Sequence, residues 1–229
     1  MTDASLHIIL PAYNPLQGWQ DRLIERLLPV YDLLKDRFEI KITLVNDGGN
    51  PLTWDSDLLP LQLVTHDKNR GKGAAIRTAI QSTYEGLVLI TDIDIPYMEE
   101  DMLGVIEALS KGSEVVIGTR NDNYFTRIPR SRKWVSKSLI FFNKWLLRMR
   151  NPDTQAGIKG VRGRGIEAIK STLISGFLYE IEWIRNAEKN DLKMASVQVS
   201  IRETITLSSI SGKKLHTQII NYIRLFLSR

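Results

Sequence analysis

Apolar and polar positions alternate along this chain in two rhythms. Short apolar runs that end in turn residues read as buried strands, and longer stretches with apolar residues three and four apart read as helices with one buried face. "LHIILPAY" (6–13), "EIKITLVND" (39–47), "LQLVTHD" (61–67), "GLVLITD" (86–92) and "SEVVIGTR" (113–120) are of the first kind. Between them, Trp19, Leu23, Leu27, Val30 and Leu34 mark one helix face. "NRGKGAAIRTAIQST" reads as a glycine loop opening a helix, and "MEEDMLGVIEALSKG" as another helix. Strands alternating with helices predict an α/β fold, a mostly parallel sheet with helices on both faces and ligands gathered at the carboxyl ends of its strands.

The second half is less regular. "SRKWVSKSLIFFNKWLLRMR" predicts a basic, aromatic-rich helix, "TQAGIKGVR" a strand, "GFLYEIEWIRNAEKN" a helix with acids near its start, and "KMASVQVSIRE" a late strand. "KLHTQIINYIRLFLSR" predicts an amphipathic terminal helix whose stripe includes Leu215, Ile219, Ile223 and Phe226. No repeat or linker interrupts the chain. A single domain over 1–229 is expected, with a nucleotide-binding half (1–120) and an acceptor-side half (121–229).

Composition narrows the chemistry. The 229 residues are 43% hydrophobic and 25% charged, an ordinary globular balance. Without cysteine there is no disulfide framework or thiolate site, so a metal must sit on oxygen or on His7, His66 and His216, which are too scattered to form a motif. The start lacks the basic and long apolar regions of a signal peptide, and no stretch reaches the roughly 18 uninterrupted apolar residues of a spanning helix. A cytoplasmic protein is expected, or one peripheral on the cytoplasmic membrane face.

The net charge of +5 is local. No Asp or Glu lies between Asn123 and Pro152, where Arg127, Arg130, Arg132, Lys133, Lys137, Lys144, Arg148 and Arg150 all fall; the other 23 of the 31 basic residues are outnumbered by 26 acidic ones. The patch suits a phosphate or an anionic surface, and its tryptophans and phenylalanines suit a helix in a membrane interface.

Two carboxylates end the apolar run of "LVLITDIDIPY". On an extended segment, side chains at i and i+2 point the same way, about 7 Å apart. Asp92 and Asp94 can then face one site, and a hard divalent cation shared with phosphate oxygens would relieve their repulsion. The bland alternative is a solvated loop whose acids cap the next helix. Asp47, at another strand end, is expected to converge on the same site, although "NDGG" also makes an Asx turn by itself.

Six segments, "ILPAYNP", "LVNDGG", "NRGKGAA", "TDID", "IGTR" and "DTQAGIKG", stand in the order found in family 2 glycosyltransferases of the GT-A (Rossmann-like) fold, which the chain resembles over about residues 6–190. The likeness is to the branch that transfers a sugar from a nucleotide sugar to a polyprenyl (dolichyl or undecaprenyl) phosphate. It implies that Pro11 and Tyr13 line the base and ribose pocket and that Asp47 binds base or ribose. Asp92 and Asp94 would hold Mg²⁺ or Mn²⁺ on the diphosphate, with Asp94 the direct ligand. It places Arg120 at the diphosphate, and Asp153, Gln155 and Lys159 on the sugar and acceptor side. The family usually has Glu at Pro15, Gln at Pro96, "DDGS" for "NDGG" and an aromatic at Ile158, so this chain departs at the metal and nucleotide contacts.

The implied reaction is an inverting, metal-dependent transfer to a lipid phosphate. Arg130 and Arg132 are expected to position that phosphate. A hydroxyl acceptor on a glycan would instead need a base, for which Glu180 and Glu182 are candidates; the bland alternative is that both are acids complementing a helix dipole. A sugar-phosphate nucleotidylyltransferase is set against this by the lack of a glycine- and arginine-rich loop after the first strand. A noncatalytic protein binding nucleic acid or membrane through the basic patch leaves the strand-end acids without a role; no nucleic acid partner is expected.

Overall fold

The computed structural model describes residues 5–83, 85–120, 124, 129–151, 153–176 and 178–205, apart from the side chains of 130–132. The expected terminal helix, with Leu215 through Phe226, lies outside the described residues.

Seven strands form one sheet: β1 (Ser5–Ala12), β2 (Glu39–Asn46), β3 (Leu61–Thr65), β4 (Leu87–Ile90), β5 (Val115–Arg120), β6 (Lys159–Arg162) and β7 (Met194–Val199), in the order β3-β2-β1-β4-β6-β5-β7. β1 pairs in parallel with β2 and β4, as do β2 with β3 and β5 with β7. β6 runs antiparallel between β4 and β5. Strands from both halves of the chain thus share one mostly parallel sheet.

The continuous apolar character of the strands follows from cover on both faces. Leu6, Ile8 and Leu10 of β1 point into one core with α1 (Trp19–Leu34) and α3 (Glu99–Ser110). Ile9 points into the other, with α2 (Lys72–Ile80), α5 (Arg164–Lys170) and α6 (Tyr179–Lys189). The predicted face of α1 is buried through Leu23, Leu27, Val30 and Leu34.

The basic aromatic segment forms α4 (Arg130–Trp145). Leu147 and Met149, just beyond it, are buried, whereas Trp134, Phe141 and Trp145 are 75%, 56% and 68% exposed. Spaced seven and four apart, these three fall on one face of the helix. Among the described residues, no helix is long and apolar enough to cross a membrane.

Candidate active site

From β1 the chain goes to β2 and β3 on one side and returns to β4 on the other, so the carboxyl ends of β1 and β4 flank a topological switch point. A cleft of about 750 Å³ opens there. Pro11, Tyr13, Asp47, Lys72, Asp92 and Asp94 line it, with Arg22 and Arg26 of α1 and Thr204 and Ile205 from beyond β7.

Asp92 and Asp94 reach this cleft by a route different from the expected one. The segment after β4 is a turn rather than an extended strand: the Ile95 N–H donates to the Asp92 carbonyl at 2.9 Å. The i, i+2 argument therefore fails in its geometry, while both side chains still line one site. Burial and the neighbouring Asp92 carboxylate raise the Asp94 pKa, against a smaller opposing pull from Arg26 and Lys72.

Asp92 has a counter-ion of its own. Nζ of Lys72 stands 2.9 Å from its Oδ1 and 3.4 Å from Oε1 of Glu180. Burial opposes the charge on Lys72, but Asp92 and Glu180 outweigh it and hold the ammonium well above its ordinary pKa. The glycines around Lys72 make this placement possible. Gly71 takes φ 97° and lies against the Ser175 carbonyl, where no side chain fits, and the Gly73 N–H donates to that carbonyl at 2.7 Å. On the other side of Asp92, Gly157 leaves no room for a Cβ beside Oδ2, and its N–H donates to the Tyr97 hydroxyl at 2.6 Å.

Other expected site residues are turned to internal partners. Asp47 is 3% exposed; its carboxylate accepts the N–H groups of Arg70 (2.9 Å) and Gly71 (2.7 Å) and pairs with His66 Nδ1 (2.8 Å). It braces the glycine loop and keeps at most one acceptor site for a ligand. Arg120 forms a forked pair with Asp153, at 2.5 Å for Nη2, and packs over the Tyr124 ring. Gln155 donates to the Thr154 hydroxyl.

Lys159 is 1% exposed, donates to the Ala156 carbonyl and pairs with Oε2 of Glu180 at 3.1 Å. Burial lowers its pKa, with Glu180 pulling the other way. Glu180, expected as a candidate base, is 5% exposed and held by two ammonium groups away from the cleft lining. Glu182 accepts the N–H groups of Leu173 and Ile174. Arg130 and Arg132 stand in the first turn of α4, and their side chains lie outside the described residues.

Pro11, Tyr13, Asp47, Asp92 and Asp94 are thus brought together, with Glu180 and Lys159 joined to them through Lys72, while Arg120 and Gln155 are not part of the cleft lining. Sequence reasoning missed Lys72 and Arg26. The lysine had a signal, since it opens a helix directly after a glycine loop; Arg26, on the edge of the apolar face of α1, had none.

Residues 7–171 match the family described as glycosyl transferase family 2. The chain belongs to glycosyl transferase family 2. It is a glycosyltransferase of the GT-A fold. Among curated relatives, it is 23% identical over 172 residues to the dolichol-phosphate mannosyltransferase of Pyrococcus furiosus, covering 71% of this chain and 47% of that protein. The chain therefore spans about half the length of that relative. It is also 23% identical over 225 residues to the UDP-N-acetylglucosamine–dolichyl-phosphate N-acetylglucosaminyltransferase of Methanococcus voltae, covering 87% of this chain and 86% of that protein. The fold is shared with glucosyl-3-phosphoglycerate synthase from Mycobacterium tuberculosis. Its complex with Mn²⁺ and UDP-glucose superposes with a TM-score of 0.65 at 16% identity, covering 99% of this chain and 79% of that chain. A further complex of that enzyme, also containing phosphoglyceric acid, gives 0.68 at 15% identity.

Proposed function

We propose that the chain transfers a sugar, with inversion, from a nucleotide-sugar donor to the phosphate of a polyprenyl lipid, using Mg²⁺ or Mn²⁺ held by Asp92 and Asp94. One observation carries this reading: two carboxylates and a lysine ammonium converge in a cleft at the switch point of the sheet. Pro11 and Tyr13 line the same cleft, and the half-exposed Tyr13 ring offers a stacking face to a base.

The donor set fits the cation. Asp92 and Asp94 are hard oxygen ligands, and the described residues contain no group of three acidic, histidine or cysteine side chains that could hold a metal. Asp92 and Asp94 would hold the cation, and a pair of carboxylates suits Mg²⁺, which is usually bound through one or two carboxylates together with substrate phosphates. Bound there, the cation would offset negative charge on the leaving diphosphate.

The transfer breaks the bond between the anomeric carbon and the diphosphate oxygen, and the electron pair leaves with the nucleoside diphosphate. Lys72 supplies a fixed positive charge beside that leaving group. The acceptor oxygen forms the new bond from the opposite face of the sugar. A lipid phosphate is already an oxyanion and needs no base. That agrees with the engagement of Glu180 by two lysines. Arg120, locked to Asp153, serves the site by bracing the segment before β6.

Acceptor class is supported by the names of both curated relatives, which act on dolichyl phosphate, and by α4. Its exposed Trp134, Phe141 and Trp145, flanked by Lys133, Lys137 and Lys144, suit the interfacial region of an anionic bilayer. On this reading the chain sits peripherally on the cytoplasmic membrane face, with Arg130 and Arg132 of α4 as the cations offered to the lipid phosphate.

The test is thermal stabilisation by UDP, GDP, CDP and dTDP sugars, each with and without Mn²⁺, followed by transfer to a short-chain polyprenyl phosphate. A metal-dependent shift for one nucleotide and transfer to that acceptor are expected. No shift with any donor would overturn the donor site, and transfer only to hydroxyl acceptors would overturn the lipid.

A further inference from the structure

The turn that carries the two carboxylates has an unfavourable backbone. Ile95 is fully buried and adopts φ 39°, a left-handed conformation that a β-branched residue takes only when its surroundings impose it. Pro96 follows and itself pushes the preceding residue toward extended conformations. Packing of the Ile95 side chain holds the turn from inside the core.

The hold from the cleft side is Arg26. It is 8% exposed, an unusual degree of burial for a guanidinium, and it reaches over from α1. Nη1 donates to the Asp94 carbonyl at 2.5 Å and Nη2 to the Thr204 hydroxyl at 3.3 Å. Thr204 belongs to a segment fastened directly behind the turn. The Ser200 N–H donates to Asp101, the Arg202 N–H to the Pro96 carbonyl at 2.9 Å, and the Arg202 side chain pairs with Glu99 at 2.8 Å. One guanidinium therefore joins three separate stretches of chain at the edge of the cleft: α1, the two-carboxylate turn and the segment after β7.

We propose that Arg26 is a positioning residue for cation binding: by gripping the Asp94 carbonyl and the Thr204 hydroxyl together, it fixes the strained turn so that both carboxylates meet one divalent cation. The inference rests on the reading of Asp92 and Asp94 as the cation site. Arg26 acts through the backbone of Asp94, and its planar fork matches two acceptors that a lysine ammonium on a flexible stem would not hold as firmly.

Direct Mn²⁺ binding tests this, read from the electron paramagnetic resonance of free Mn²⁺ with and without UDP or GDP, on the full chain and on Arg26→Met, Arg26→Lys, Thr204→Val and Asp94→Asn. Arg26→Met is expected to weaken Mn²⁺ binding about 10- to 100-fold, the usual range for residues that orient a metal ligand. Arg26→Lys should recover part of that loss, which a role in bulk packing alone would not predict. Thr204→Val should weaken binding by a smaller factor. Where Arg26→Met does not fold, Arg26→Lys and Thr204→Val decide, and wild-type affinity in both overturns the proposal. Wild-type affinity in a folded Arg26→Met variant, with binding abolished in Asp94→Asn, overturns the role of Arg26 and leaves the cation site standing. Absence of Mn²⁺ binding to the unaltered chain, with and without nucleotide, overturns the cation site and this inference with it.

Discussion

The Lys72 ammonium lies 2.9 Å from Oδ1 of Asp92, so the carboxylate expected to hold a metal already has a protein cation on one oxygen. Lys72 and a divalent ion then compete for part of Asp92 while both favour a departing diphosphate. Removing the lysine separates these effects. Lys72→Met is expected to bind Mn²⁺ more tightly, because a neighbouring positive charge is gone. Turnover should nevertheless fall about 100-fold or more, the cost of losing a charged group aimed at developing negative charge. Mn²⁺ titration beside steady-state kinetics measures both; a parallel fall in the two would remove Lys72 from the leaving-group side.

Gly157 makes a sharper structural prediction. Its backbone passes so close to Asp92 Oδ2 that an added methyl group overlaps the carboxylate. Gly157→Ala should therefore displace Asp92 and abolish metal-dependent turnover, with far-ultraviolet circular dichroism unchanged because the overlap falls on a partly exposed side chain and the core residue Tyr97 is met only at ordinary contact distance. Retained activity in this variant would show that Asp92 need not stay where the structure has it.

Much of the sheet was legible because its strands are apolar on both faces, and Asp92, Asp94 and Asp47 were legible as acids at strand ends. Their detailed roles were not. The turn over 92–95 depends on a buried isoleucine in a conformation that propensity argues against, so the spacing placed both acids at one cleft by way of an extended geometry that the chain does not adopt. Lys159, Glu180 and Arg120 looked ligand-facing by motif. What withdraws them is β6 running antiparallel between β4 and β5, which brings the stretch around Asp153–Lys159 to the carboxyl end of β4 and supplies buried partners from distant sequence. Such pairings are made by topology, and no local pattern announces them.

The aromatic face of α4 predicts behaviour at a bilayer. Phe141 lies 6.1 Å from Trp145 ring to ring, and with Trp134 they form a single exposed face between lysines. Each ring contributes on the order of 1.5 kcal/mol when fully withdrawn from water. Replacing all three by serine should lower partitioning onto vesicles of mixed phosphatidylcholine and phosphatidylglycerol at least tenfold, on the order of one such ring's contribution. Binding of the unaltered chain should weaken with salt, because the lysine contribution is screened. Co-sedimentation measures both, and equal partitioning of the triple variant would exclude this face as the membrane contact.

Away from the cleft, His7 on β1 predicts an acid limb in stability. Its ring is 4% exposed and bonded to the hydroxyls of Thr83 (2.6 Å) and Thr43 (2.8 Å), and burial, with a smaller effect from Lys41, lowers its pKa from 6.5 to about 4. The folded protein thus resists a proton that the unfolded chain accepts. Stability from this group is full above pH 6.5, falls as pH drops toward about 4, and levels off below that. At about 1.4 kcal/mol for each pKa unit, the total is about 3 kcal/mol. Carboxylates titrate over part of the same range, so the comparison must be with a variant. His7→Gln keeps a hydrogen-bonding side chain without the titration, and urea unfolding of both proteins between pH 7 and pH 4 should show the variant losing less stability. Parallel pH profiles would mean that His7 gains its proton in the folded state as easily as in the unfolded one.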